Sequence, residues 1–178
     1  MALARDLGGK GKIVALVGPS GLDVTDIMWM NAKEYLTRFP QIQIVRQEYL
    51  PVNAPAGLKA MEDILVANKD LNGVYAWFVE VAIGAAQAVK NAGYKPGEIK
   101  MVCMHHNSQG EALMREGYIS SMLVGESKLM GETSAEVLDA IRRHVDRPTR
   151  VTLRNILLDR ASIDFVDKRN FTLDDALK

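Results

Sequence analysis

Apolar and polar residues follow two patterns that alternate along the chain. Short, continuous apolar runs are followed by longer segments in which apolar residues recur every three or four positions. The first pattern is typical of buried strands and the second of helices with one apolar face. In the stretch 71–93, the apolar run Gly73–Phe78 leads without a spacer into small residues at helical spacing, and Gly93 follows. This stretch predicts a strand, a tight turn and a helix that Gly93 ends.

The same patterns predict the remaining elements. The predicted strands are 12–18, 41–49, 99–104, 119–124 and 151–158. The predicted helices are 24–39, one around Leu58–Leu65, 108–117 with Ser108 as its N-cap, and 127–145. We expect the tail from Ser162 to form one or two helical turns.

Two of these helices have a predicted inward stripe. In the helix 24–39 the stripe consists of Ile27, Met28, Ala32, Tyr35, Leu36 and Phe39. Trp29 and Met30 lie outside that stripe and need another neighbour. In the helix 127–145 the predicted inward residues are Met130, Val137, Leu138 and Ile141.

Strands that alternate with helices are typical of a parallel sheet with helices on both faces. We therefore predict an α/β fold, a three-layer α/β/α doubly wound parallel sheet of flavodoxin-like form, with five main strands ordered 2-1-3-4-5. Right-handed crossovers place the carboxyl ends of parallel strands at one edge, where open α/β sheets bind ligands. The loops 18–26, 77–81, 104–108 and 125–127 would meet there if the fifth strand joins this sheet.

Composition and charge narrow the classes of function. The 178 residues include 22 Lys and Arg and 22 Asp and Glu, without a basic stripe, which argues against nucleic acid as the main partner. Cys103 is the single cysteine, so an internal disulfide is excluded, and no run of about 18 apolar residues could span a membrane. The N-terminus has no apolar signal region, so we expect a cytoplasmic protein or a mature or truncated piece of an exported one.

Several ordered segments carry a resemblance to a known family. They are Gly8–Gly18, Tyr35–Ile44, Met61–Val74, Ala82–Gly93, and the glycines at 117 and 131. In this order they resemble the C-terminal portion of type I periplasmic solute-binding proteins, the sugar-binding receptors of ABC importers. The resemblance covers roughly residues 7–168.

The resemblance implies a ligand held between two lobes, of which this chain lacks the N-terminal half. In a full-length relative, residues 107–147 would complete the first lobe. A free chain can instead fold 107–147 onto its own sheet, or leave that segment to a partner. We favour the first arrangement and predict one α/β domain over 1–178, because it covers more apolar surface within one chain. The resemblance also implies a periplasmic location and, for a full-length form, an ABC permease as partner.

Seven residues at the predicted edge are candidate ligand contacts: Ser20, Asp26, Trp77, Phe78, Val79, His105 and Gly125. Thr25–Asp26 is similar to the Thr–Asp pair of the family's autoinducer-2 receptors, in which the Asp contacts ligand. The alternative for Asp26 is stabilisation of a helix N-terminus. Trp77 is either a stacking platform for a sugar face or part of the core.

The resemblance places three further polar ligand positions on altered residues. The Asn–Asp pair of sugar receptors falls on Phe78–Val79, an Asp falls on His105, and a Gln falls on Gly125. Apolar side chains cannot hydrogen-bond a sugar. The resemblance implies a small polar, sugar-like ligand. Because these positions are altered and half of the cleft is missing, we expect weak or absent binding of common free sugars by this chain alone.

Other chemistries fit the sequence less well. Adjacent His105 and His106 lack a Cys or carboxylate at metal-ligand spacing. The loop Gly18–Gly21 lacks the Lys-Ser/Thr of a phosphate loop, and Ser20 with His105 lacks the Gly-x-Ser-x-Gly elbow of hydrolases. We expect no catalytic residue, metal or cofactor, and we take the protein as a binding protein rather than an enzyme.

Two alternatives stay open, namely a truncated relative that acts as a dimerising or interaction domain without ligand, and a flavodoxin-like enzyme. A homodimer is expected if Trp77 and Phe78 at the rim, with Trp29 and Met30 outside their helix stripe, form an exposed apolar patch. The opposing interpretation is that both tryptophans are buried within the lobe.

Overall fold

A six-stranded sheet with helices on both faces forms the body of the protein. The computed structural model describes residues 2–125, 127–145, 155–167 and 172–173. The strands are β1 Lys10–Val17, β2 Gln41–Tyr49, β3 Gly73–Ala76, β4 Lys100–Met104, β5 Ser121–Gly125 and β6 Asn155–Asp159, with the short β7 Val166–Asp167 and β8 Thr172–Leu173. The helices are α1 Ala2–Asp6, α2 Asp23–Leu36, α3 Ala54–Ala67, α4 Val79–Asn91, α5 Ser108–Glu116 and α6 Ser127–Arg142.

The strand order is β2-β1-β3-β4-β5-β6. The first five strands are parallel, which confirms the predicted fold class and the predicted order of those strands. The sixth strand is antiparallel and lies beside β5, with Asn155 opposite Gly125. Residues 151–154 of the predicted last strand lie outside the described residues. In the tail, a 3-10 turn at Ile163–Phe165 is followed directly by β7, which pairs with β8 in a separate two-stranded sheet.

The two faces of the sheet carry separate apolar cores. On one face, α3, α4 and α5 pack over residues such as Val14, Val74 and Met101. On the other face, α1 and α2 pack over Ile13 and Ala15. The alternation of these residues along β1 explains why its sequence is a continuous apolar run, since a strand covered on both faces needs apolar residues at every position.

Helix α2 is rotated relative to its predicted stripe. Thr25, Trp29 and Leu36 are buried, whereas Ile27 and Tyr35 of the predicted stripe are 52% and 36% exposed. The Trp29 indole packs on the Tyr75 ring at 5.2 Å, and its N–H donates to Gln47 Oε1 of β2 at 2.7 Å. The prediction that Ile27 faces inward is therefore wrong, because the larger indole, with its own hydrogen-bond partner, takes the position on the sheet.

Helices α3 and α4 pack so closely that their backbones are almost in contact. A Cβ atom added to Gly84 of α4 would overlap the Ala54 carbonyl oxygen and lie 2.6 Å from the Leu58 nitrogen. A Cβ atom added to Gly57 of α3 would overlap the Val81 carbonyl oxygen in the same way. The small-residue face predicted for α4 is thus needed for contact with α3 as well as with the sheet.

Helix α6 does not bury the stripe that was predicted for it. Met130, Leu138 and Ile141 remain 49%, 65% and 44% exposed. The chain leaves the sheet at Gly125 and re-enters it at the adjacent Asn155, so the sheet is continuous without α6. The strand part of 107–147 lies in this sheet, and the assignment of 1–178 as one domain stays a prediction.

The contact between α3 and α4 leads to a stability prediction. Gly84→Ala should lower the free energy of unfolding by roughly 1–3 kcal/mol, because the methyl group would force the two helix backbones apart. Gly131→Ala is the matched control, since Gly131 lies in α6 with nothing within 4 Å of an added Cβ. It should leave stability unchanged or raise it by up to about 1 kcal/mol. Urea denaturation followed by circular dichroism measures both, and equal stability of the two variants would contradict the close contact.

Candidate functional site

The carboxyl ends of the parallel strands bring most of the predicted site residues to one edge. β1 is followed by the loop with Ser20, β3 by Trp77 and Phe78, and β4 by His105. The His105 N–H donates to the Leu123 carbonyl oxygen at 2.9 Å, so the β4 loop is joined to β5 two residues before Gly125. Because these strands are neighbours in the sheet, residues that are distant in sequence form one surface.

Three aromatic rings occupy the centre of this edge. The Trp77 and Phe78 ring centroids are 5.0 Å apart at an interplanar angle of 45°. Phe78 and His105 are stacked, with centroids 4.1 Å apart and planes at 28°. We call Trp77, Phe78 and His105 the aromatic column. Its exposure rises along the series, from a buried Trp77 through a half-buried Phe78 to an exposed His105.

The structure favours the core interpretation of Trp77. Its side chain is 6% exposed and packs on Gly18, where any added Cβ would overlap the indole. Within the described part of the chain, the indole N–H is buried without a hydrogen-bond partner. Trp77 therefore supports Phe78 from below and offers little surface of its own.

His105 has an unusual backbone conformation. Its φ is +65°, in the left-handed region that non-glycine residues rarely adopt, although His is among the residues enriched there. The bond from its N–H to Leu123 and the stack on Phe78 hold this conformation. The chain turns sharply after β4 as a result, which directs the imidazole to the exposed end of the column.

Asp26 is engaged with its own loop. Its Oδ2 accepts a hydrogen bond from the Gly21 N–H at 3.2 Å, in the first turn of α2. This contact fits the stabilising role, and it involves one of the two carboxylate oxygens. Ser20 is exposed in the same loop. The ligand roles of Asp26 and Ser20 stay predictions.

Val79 lies away from the edge. It is 1% exposed, and its Cγ2 occupies the place that a Cβ on Gly110 of α5 would need. Of the predicted pair Phe78–Val79, only Phe78 has a partly exposed side chain, and the geometry gives Val79 a packing role. Gly125 is partly exposed at the end of β5, and its ligand role also stays a prediction.

A polar network at the start of α5 was not predicted. Asn107, rather than Ser108, caps the helix, because its Oδ1 accepts from the Gly110 N–H at 2.8 Å. His106 Nε2 lies 3.3 Å from Glu111 Oε2. Arg115 donates to Glu111 at 3.0 Å and to Asp164 at 2.6 Å, and these bonds raise the pKa of Arg115. Asn107 could have been found as a good N-cap residue, whereas Asp164 is too far along the chain for any local signal.

Comparison with known proteins identifies the family. A model of the periplasmic binding protein domain matches residues 1–144. The chain belongs to this family. The ribose import binding protein of Bacillus subtilis (strain 168) is 24% identical over 139 residues, which are 78% of this chain and 44% of that protein. The galactofuranose-binding protein of Escherichia coli (strain K12) is 32% identical over 100 residues, which are 54% of this chain and 31% of that protein.

A solved structure agrees with the fold of this periplasmic binding protein domain. The ABC transporter solute-binding protein from Agrobacterium vitis with bound D-fucose has a TM-score of 0.86 at 22% identity, covering 96% of this chain and 58% of that one. The likeness confirms the type I periplasmic-binding-protein fold. The chain spans less than half the length of the curated relatives named here.

The second face of this periplasmic binding protein domain has an open groove. A cavity of about 500 Å³ lies between α2 and the strands β3 to β6. Its lining includes Tyr75, Val102, Leu123 and Leu157 from the sheet and Tyr35 from α2. Burial raises the pKa of Tyr75 to about 12. No local pattern in the sequence predicts this groove, because its walls come from six separate elements, α1, α2 and β3 to β6.

The described residues include no group of three or more His, Cys, Asp or Glu side chains placed to hold a metal ion. No described helix is long and apolar enough to cross a membrane. Cys103 is buried in β4, and its pKa is raised, first by burial and second by the nearby Glu80 carboxylate. A thiol in this state is a poor nucleophile, because the thiolate is the reactive form.

The burial of Cys103 gives a prediction on its reactivity. At pH 8 the native chain should react with Ellman's reagent at least about tenfold more slowly than the same chain unfolded in urea, since only opening of the sheet exposes the thiol. Absorbance of the released thionitrobenzoate measures both rates, and the unfolded chain is the internal control. Rapid reaction of the native chain would mean that Cys103 is accessible and ionised.

Proposed function

We propose that this chain is the solute-binding lobe of an ABC-transporter substrate-binding protein, located in the periplasm and without enzymatic activity. Its ligand is a small polar molecule of sugar-like kind, and its transport partner is an ABC permease that a full-length form would meet. The relatives are named as import binding proteins for ribose and as a galactofuranose-binding protein, which supports this function over a flavodoxin-like enzyme.

One observation carries the proposal. The loops that follow β1, β3 and β4 and the end of β5 lie at the carboxyl edge of the sheet, and this edge contains both stacked aromatic rings and polar residues. Hydroxyl groups of a ligand would be held by Ser20, by the Oδ1 oxygen of Asp26 and by the His105 ring, since all three can form hydrogen bonds with hydroxyl groups. The apolar face of a sugar ring would lie on the exposed part of the aromatic column.

The affinity of the chain alone should be low for a geometric reason. Binding sites for small molecules enclose most of the ligand surface. The edge described here is one open surface, and Phe78 and Gly125 stand where the resemblance places polar contacts. A ligand on this open surface keeps many of its bound water molecules. It therefore forms few contacts with the protein, and its affinity is low.

The proposal predicts weak but specific binding of ribose. We expect a dissociation constant in the millimolar range, measured by the broadening and shift of backbone amide signals at the carboxyl edge in NMR titrations. Asp26→Ala should weaken binding by about tenfold, because one charge-assisted hydrogen bond is lost. Asp70→Ala is the matched control, since Asp70 is an exposed carboxylate that pairs with Lys12 outside this edge.

Two outcomes would contradict these expectations separately. Micromolar affinity of the chain for a pentose or hexose in calorimetry would show that one lobe suffices. If ribose, galactose and allose at high millimolar concentration leave the edge signals unchanged, the predicted binding of free sugars at this edge is wrong.

We also propose self-association, on a basis that differs from the sequence prediction. Trp29 and Trp77 are 1% and 6% exposed, so the two tryptophans do not form the expected patch. Met30 is 56% exposed and Phe78 is partly exposed, as expected. The observation that now supports a homodimer is the exposed apolar stripe of α6, which needs a partner surface to be stable as a helix.

This second proposal predicts a dimer that depends on α6. In sedimentation velocity at micromolar concentration, the chain should show twice its own mass, and Leu138→Glu should shift it towards the monomer by placing a charge in the apolar contact. Val66→Glu is the matched control, because Val66 is 74% exposed on α3. A monomeric wild-type chain, or equal effects of the two substitutions, would rule out an interface at α6.

A further inference from the structure

The aromatic column ends in a ring that is open to a ligand. Trp77 is covered by Gly18, and Phe78 lies between Trp77 and His105. His105 is the only exposed member of the column. One face of the imidazole is taken by Phe78 at 4.1 Å, so the other face is the surface that the column presents.

This surface is held in place before a ligand arrives. The His105 backbone is fixed in the left-handed region at φ +65°, and its N–H is bonded to Leu123 at 2.9 Å. The stack on Phe78 restricts the ring as well. A ring that is already ordered loses little conformational entropy when a second ring stacks on it. Strained backbone that the surroundings maintain is often found at ligand-binding positions.

The composition of the edge indicates what stacks there. The centre of the edge is an aromatic side chain, Phe78, which neither donates nor accepts the hydrogen bonds that sugar hydroxyls need. The polar residues are Ser20, in the loop that follows β1, and Asp26, in the first turn of α2, which bonds back to that loop at Gly21. The edge therefore offers two chemically different parts, a flat π-surface and a hydroxyl-binding loop.

We propose that the ligand of this lobe contains a planar aromatic ring that stacks on His105 at the open end of the aromatic column, joined to a sugar-like polar part. This inference rests on the proposed solute-binding function and names its substrate class as aromatic glycosides of the nucleoside kind. Free monosaccharides have no planar aromatic ring to stack on the column, so they bind more weakly. His105 and Phe78 are then the residues that set specificity.

The experiment compares adenosine with ribose, because the two probes share the sugar and differ in the aromatic ring. NMR titration of the full chain should give an affinity for adenosine about tenfold or more above that for ribose, as base–aromatic stacking predicts. The base protons of adenosine should shift to high field, which is the signature of a ring stacked over another ring. A structural role alone for His105 would produce no such shift.

Matched histidine variants test the residue. His105→Asn keeps a side chain that tolerates the left-handed conformation but removes the ring, so adenosine affinity should fall to the level of ribose. His144→Asn is the control, because His144 is also exposed and has a positive φ of 51°, after the end of α6. It should leave both affinities unchanged. Circular dichroism of each variant verifies that the fold is kept.

The outcomes separate this inference from the function on which it rests. If ribose binds at the edge and adenosine binds no better, the aromatic-ring specificity is wrong while the solute-binding function stands. If neither probe changes the edge signals, both proposals are wrong. If adenosine is preferred but His105→Asn keeps the preference and the high-field shifts, the ring stacks elsewhere and the assignment to His105 is overturned.

Discussion

Close packing of small residues between α3, α4 and the sheet is the constraint on which the rest of this lobe depends. Helix α4 is buried along nearly its whole length, with Ala82, Ala85 and Ala86 inside and Gly84 against the backbone of α3. Protein interiors have little free volume to absorb an extra methyl group. The position of α4 therefore fixes the turn that precedes it, and with that turn the place of Phe78, the residue just before the helix.

This packing determines the geometry of the candidate site. Phe78 is held from one side by Trp77 and from the other by His105, and the Trp77 indole fits only because residue 18 is a glycine. The β4 loop is in turn joined to β5 through the His105 N–H. A rigid scaffold thus supports a surface in loops, which is the usual arrangement of binding sites in open α/β sheets. The aromatic character of this surface distinguishes the lobe from one that holds a sugar through polar side chains.

Among the described residues, the groove beside α2 and the helix α6 each leave apolar side chains exposed. The groove beside α2 exposes part of Tyr35 and Leu157, and α6 exposes Met130, Leu138 and Ile141. Leu157 and α6 both belong to the part of the chain after β5, at which the parallel strand order ends. The chain passes from Gly125 to the adjacent Asn155 through a long excursion that contains α6, and β6 then closes the sheet in the antiparallel sense. An apolar helix stripe gains stability mainly from packing, and the proposal of a homodimer rests on this property of α6.

The sequence by itself determined the elements whose signals are local. Buried strands are continuous apolar runs and helices have a repeat of three to four residues, so the unit β3–α4 and the parallel order of the first five strands could be predicted. That order also places the residues that follow β1, β3 and β4 at one edge of the sheet. Only the tertiary structure decided features that depend on competition between distant groups. The rotation of α2 follows from the bond between Trp29 and Gln47, and the burial of Val79 follows from its contact with Gly110. The exposure of α6 and the stack of His105 on Phe78 likewise depend on which surfaces pack together in the folded chain. The spacing of apolar residues along the sequence does not determine this packing.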